Sequence, residues 1–151
     1  MLAEMNLLVV DDDPLTVESV SHLLKRLGAT KVSVARSGYE AFATLSGSRE
    51  RFDCVIADVC MPEGNGLEML FHIRTSTVAK NFRPDMCVVL MSGLASESVA
   101  GTARSLDVNA FLVKPFSVNK LQMTVGAARR RTFPLNQRRY HQIDAAAFQI
   151  A

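Results

Sequence analysis

Residues 6–14 read NLLVVDDDP. A strand-length apolar run is closed by three aspartates and a proline. A run with no polar alternation suits a strand covered on both faces, the habit of parallel sheets. Asp13 is the expected N-cap of a following helix, because Pro14 fits the first helical position. Val20, Leu23, Leu24 and Leu27 then fall on one helical face, and Gly28 is placed to end that helix. The opening of the chain therefore spells strand, acidic exit, helix.

The same order repeats outward from there. Lys31–Ala35 (KVSVA) alternates as a second strand, and Ser37 with Glu40 forms a capping box for a helix reaching about Leu45. Cys54–Ala57 (CVIA) reads as a third buried strand that ends at Asp58. The loop MPEGNG follows, then a helix from about Leu67 to Arg74; residues 75–85 read as loop or frayed helix. Met86–Met91 (MCVVLM) is apolar throughout and reads as a central fourth strand. Ser96–Leu106 reads as a helix with Gly101 inside it, Ala110–Val113 as the fifth strand. Ser117 caps a last helix through about Ala128. Five strands alternating with helices imply an α/β fold around a parallel sheet.

Composition sets the bounds. The 151 residues are about one domain's worth, and 48% hydrophobic with 21% charged is ordinary for a globular chain. Disordered, fibrous and collagen-like classes are excluded. No apolar run approaches the length of a membrane span, and the acidic N-terminal region does not read as a secretory signal. Cys54, Cys60 and Cys87 are odd in number and widely spaced, so they read as reduced thiols filling core or loop positions in a cytoplasmic protein. His22, His72 and His141 lack ligand-like spacing. The net charge of +2 conceals an asymmetry: residues 1–128 carry 12 basic and 14 acidic side chains, whereas residues 129–151 carry five arginines and one aspartate.

Ligands of open parallel sheets bind beyond the carboxyl ends of the strands. Asp11, Asp12 and Asp13 follow strand one, Asp58 ends strand three, Ser92 and Gly93 follow strand four, and Lys114–Pro115 follow strand five. Carboxylates crowded to about 4 Å repel by roughly 4 kcal/mol at an effective dielectric near 20. A hard divalent cation relieves them, and Mg²⁺ takes oxygen ligands while keeping waters and phosphate in its shell. A carboxylate nucleophile beside a cation, a lysine and a hydroxyl is a phosphoryl-acceptor arrangement. Asp13 itself is better explained as a helix cap than as a metal ligand.

The ordered set LLVVDDDP, DCVIADVCMP, VVLMSG and AFLVKPF resembles the four signature stretches of the response-regulator receiver domain of two-component signalling. The likeness runs from about residue 5 to 128, giving a receiver domain over 1–128 and a basic C-terminal tail over 129–151. It implies a flavodoxin-like (βα)5 three-layer sandwich with strand order 2-1-3-4-5. It also implies a chemotaxis-regulator-like, stand-alone signalling switch in a phosphorelay rather than an enzyme. By the same resemblance Asp58 is both the phosphoacceptor and a Mg²⁺ ligand, and Asp12 is a direct Mg²⁺ ligand assisted by Asp11. The backbone carbonyl of Cys60 is then the third protein ligand, Ser92 the switch hydroxyl, Phe111 the rotating aromatic, and Lys114 the partner of the phosphoryl group. The Lys114–Pro115 bond is expected to be cis. The positions two past the phosphoacceptor and two past the hydroxyl are Cys60 and Leu94, which imply slow self-dephosphorylation. Serine stands at the hydroxyl position where threonine is commoner, and Gly93 follows where alanine is frequent.

The implied partners are a histidine kinase or phosphotransfer protein as donor and a downstream protein as target, with a homodimer as a further arrangement and no membrane. Two alternatives accompany this. Asp11-x-Asp13 resembles the first motif of haloacid-dehalogenase phosphatases, but Leu15 stands where that motif has Thr or Val, and no cap domain follows. The stretch RRRTFPLNQRRYH offers arginines and aromatics to nucleic acid. Tyr140, Ile143, Ala147 and Ile150 lie at roughly helical spacing, which predicts a short docking helix in a tail that is mobile until it meets a partner.

Overall fold

The computed structural model describes residues 2–77, 81–93 and 96–150. Its order is β1 (Asn6–Val10), α1 (Pro14–Arg26), β2 (Lys31–Ala35), α2 (Gly38–Gly47), β3 (Cys54–Asp58), α3 (Gly66–Thr75), β4 (Cys87–Ser92), α4 (Glu97–Ser105), β5 (Ala110–Val113), α5 (Val118–Arg130) and α6 (Gln137–His141), with 3-10 turns at Leu2–Glu4 and Ala145–Phe148. All strand pairs are parallel, in the order β2-β1-β3-β4-β5. The sheet is the middle layer of three.

Period-two alternation divides the core between the two faces. Leu8, Val10, Val55, Ala57, Val88 and Leu90 pack towards α2, α3 and α4. Leu7, Val9, Ile56, Val89 and Met91 pack towards α1 and α5. The helix starts follow the capping chemistry: Asp13 accepts from the Leu15 amide beside Pro14, Ser37 from Glu40, and Ser117 from Lys120. A full capping box at Asn65 and Glu68 starts α3. β4 begins at Cys87, one residue later than the apolar run suggests, and extends to include Ser92. Of the loop expected over 75–85, residues 78–80 lie outside the described residues, as do Leu94 and Ala95.

The tail departs from its sequence expectation: it is packed against the body. Tyr140 is fully buried, and its hydroxyl donates to Asp107 Oδ2 at 2.7 Å. Arg131 and Arg139 pair with the same carboxylate, and Arg129 with Asp53. Gln137 Nε2 donates to the Arg74 carbonyl at 2.8 Å, and Asn65 Nδ2 to the Phe148 carbonyl at 2.6 Å. Ile143, Phe148 and Ile150 rest on the α2–α3–α4 side of the core. The continuous helix suggested by Tyr140, Ile143, Ala147 and Ile150 is replaced by α6 and the 3-10 turn. The physical reason lies in the partners. Three of the five arginines meet carboxylates of the body, and a buried tyrosine supplies the apolar area that a solvated tail lacks.

These contacts converge on a buried arginine. Arg74, with no exposure, donates from Nε to Leu106 O, from Nη1 to Pro84 O and Met86 O, and from Nη2 to Asp107 O and Asn109 Oδ1. All five N–H groups are thereby satisfied. Burial lowers its pKa to about 10. The Phe133 ring lies 4.8 Å from the guanidinium carbons of both Arg74 and Arg131.

Candidate functional site

Sheet register brings the strand exits together. Val10 is level with Ala57, and Ala57 with Leu90, so Asp11 and Asp58 each follow a matched pair. The Val59 amide donates to Met91 O and the Lys114 amide to Ser92 O at 2.8 Å, which knits the exits of β3, β4 and β5. Lys114 Nζ lies 2.7 Å from Asp58 Oδ1 and 3.5 Å from Asp11 Oδ2. The Lys114–Pro115 peptide is cis.

Asp11, Asp58 and Ser92 are buried, while Asp12, Asp13 and Cys60 are exposed. Asp13 is the cap of α1, accepting also from Thr16 Oγ1 at 2.9 Å. Its amide donates to Asp11 Oδ1 at 3.0 Å. Phe111 is half-buried at the edge of the α2–α3–α4 core. Gly66 closes the floor: a Cβ there would stand 2.6 Å from the Asp58 carbonyl oxygen.

Two buried carboxylates, Asp11 and Asp58, share this end of the sheet with the Lys114 ammonium. Burial, with Asp58's negative charge added, holds Asp11 above the ordinary carboxylate range despite the Asp13 amide and Lys114. For Lys114, burial works against the charge, but the hydrogen bond and charge of Asp58, backed by Asp11, prevail and raise its pKa. The Cys60 thiol is pushed up by burial first and then by Asp58. No group of three His, Cys, Asp or Glu side chains among the described residues forms an all-side-chain metal centre. The donors that do converge, the Asp11 and Asp58 carboxylates, are hard oxygens, the ligand type Mg²⁺ takes while it keeps several waters. They do not fit a zinc-type centre closed by side chains.

The structure brings together Asp11, Asp58 and Lys114 directly, with Ser92 one strand exit away. Leu94 lies outside the described residues. Sequence reasoning missed the Arg74–Asp107–Tyr140 centre. A buried arginine at the end of an amphipathic helix looks like any surface cation there, and Asp107 at φ 53° is a left-handed residue whose role appears only with its partners. Among the described residues no helix is long and apolar enough to cross a membrane.

The response regulator receiver domain matches residues 7–126 of the chain. The chemotaxis protein CheY homolog of Campylobacter jejuni is 34% identical over 118 residues, which are 78% of this chain and 87% of that protein. The transcriptional regulatory protein ZraR of Klebsiella oxytoca is 33% identical over 130 residues, 85% of this chain but only 27% of that longer protein. Among solved structures, chemotaxis response regulator CheY4 of Vibrio cholerae superposes with TM-score 0.68 at 27% identity, covering 82% of this chain and 98% of that one. A response regulator receiver domain protein of Clostridium thermocellum gives TM-score 0.72 at 26% identity, covering 83% and 94%. With its 2-1-3-4-5 sheet and its acidic strand exits, the chain belongs to the response regulator receiver domain family of two-component signalling.

Proposed function

We propose that the protein is a cytoplasmic phosphoacceptor switch, receiving a phosphoryl group on Asp58 from a histidine kinase or phosphotransfer protein and controlling a downstream protein target. The observation that carries this is the convergence of Asp58, Asp11 and Lys114 at adjacent strand exits. Asp58 Oδ attacks phosphorus, the bond from phosphorus to the donor breaks, and an acyl phosphate forms. Asp11, Asp12, Asp58 and the Cys60 carbonyl would hold Mg²⁺. Bound there, the ion would neutralise phosphoryl charge. Lys114, paired with the free carboxylate in the resting state, passes to the phosphoryl oxygens. Ser92, at the end of β4, donates its hydroxyl to another, and its displacement makes room for Phe111.

Neither alternative gains from the geometry. Asp13 is engaged as a helix cap, which removes the second aspartate of a dehalogenase-type motif. Three tail arginines are engaged with carboxylates of the body, which reduces the cationic surface open to nucleic acid. The test is amide chemical shifts on adding beryllofluoride with Mg²⁺. Shifts at Asp58 and onward from Ser96 to Val118, absent in Asp58→Asn, are expected. Shifts confined to the immediate pocket contradict the switch.

A further inference from the structure

At the other end of the same two strands lies chemistry that phosphoryl transfer does not use. Cys54 opens β3 and Cys87 opens β4, and the two are register partners. Their sulfurs are 3.0 Å apart. Neighbouring strands run about 4.8 Å apart, inside the Cα–Cα range of roughly 4.4–6.8 Å that a disulfide spans. Both side chains point to the α1–α5 face. Cys54 has no exposure, whereas Cys87 keeps 7%, which makes it the entry point. It borders a cleft of about 230 Å³ that is also lined by Arg51, Arg83, Arg129 and Arg131, with Asp53 and Asp85 set among them.

We propose that Cys54 and Cys87 are a peroxide-responsive dithiol that closes to a reversible disulfide across β3 and β4. The sulfur of Cys87 attacks a peroxide oxygen, the O–O bond breaks, and the departing hydroxide leaves as water, giving a sulfenic acid. The Cys54 sulfur then attacks Cys87 sulfur, the S–O bond breaks, and the released hydroxide takes the Cys54 proton. Two thiols and one hydrogen peroxide thus become one disulfide and two waters. The roles follow the environment. The hydrogen bond from Cys54 lowers the Cys87 pKa against the opposing effect of burial, with Arg129 and Arg74 assisting. The same pairing and full burial hold Cys54 well above its ordinary value, as the proton carrier. A bridge between directly facing strands is tightly constrained, and constrained disulfides are the readily reduced ones. Cys60 is exposed at the opposite strand end, away from this pair.

Peroxide treatment of the folded chain, followed by alkylation in denaturant and mass analysis, tests this. Trypsin leaves Cys54 and Cys60 together on residues 52–74 and Cys87 on 81–104, because Pro84 protects Arg83. Cys60→Ser therefore makes the link unambiguous, and fragmentation of the wild-type peptide gives the same assignment independently. The expected result is loss of two alkylation sites, a 52–74 to 81–104 linked peptide, and full recovery with dithiothreitol. In Cys60→Ser/Cys87→Ser, Cys54 should stay fully alkylatable. Full alkylation of both cysteines at a dose that completely oxidises free glutathione overturns the proposal. So does a link that forms only after unfolding.

Discussion

Asp58 and Gly66 illustrate how closely one residue's chemistry depends on another's shape. The α3 entry passes so near Asp58 that a methyl group at position 66 collides with its carbonyl. Gly66→Ala should cost about 1–3 kcal/mol through overpacking and slow phosphorylation by displacing the β3–α3 loop. Denaturant midpoints and acyl-phosphate labelling rates check the two effects. Tyr140 offers a pH test. Burial first, then the hydrogen bond to Asp107, hold its phenol above the ordinary tyrosine value. Between that ordinary value and the raised folded one, the unfolded chain has lost the proton and the folded chain keeps it. Stability should fall as pH rises through this window and be fully present below it. In a Tyr39→Phe background the remaining phenol is Tyr140, so ultraviolet titration reads it alone. Tyr140→Phe should cost about 1.5–3 kcal/mol at neutral pH, as loss of a bond to a charged acceptor, and abolish that alkaline slope.

At the scale of elements, the strands and helix caps were legible because their causes are local. Asp13 with Pro14, Ser37 and Ser117 each start a helix as their side-chain chemistry requires, although the box expected at Ser37 is only half formed, the Glu40 carboxylate accepting from the Arg36 amide instead. The tail was not legible, because its order comes from distant partners: Asp53, Asp107, the Arg74 carbonyl and the Asn65 amide. Arginines beside a proline read as solvated until those acceptors are placed. Deleting residues 132–151 should therefore destabilise the body. Loss of the buried Tyr140 alone is worth about 3–5 kcal/mol, by analogy with large aromatic truncations. Each kcal/mol lowers Tm by roughly 2–4 °C for a chain of this size, so a fall on the order of 10 °C is expected by calorimetry. An unchanged Tm contradicts the packed tail. Asp58 lies at the other end of β3 from Asp53, and the shortened chain should still accept phosphoryl at low temperature.

For the whole molecule, a parallel sheet with unequal ends organises everything observed. The carboxyl ends of β1, β3 and β5 gather Asp11, Asp58 and Lys114. The opposite end holds the facing thiols and the arginine-rich cleft. The convergence of Asp11, Asp58 and Lys114 was readable from sequence because strand exits in this topology fall on one edge, so position along the chain predicts position in space. The buried arginine centre that fixes α3 to the β5 entry and the tail needed three-dimensional partners to be recognised. The role proposed for Asp58 is that of phosphoryl acceptor in a Mg²⁺-dependent site. Intact mass after incubation with acetyl phosphate tests it most directly. Wild-type protein with Mg²⁺ should gain the mass of one phosphoryl group, and lose that gain with chelator or in Asp58→Asn. Undiminished labelling of Asp58→Asn, or no labelling of wild type with Mg²⁺ present, would contradict it.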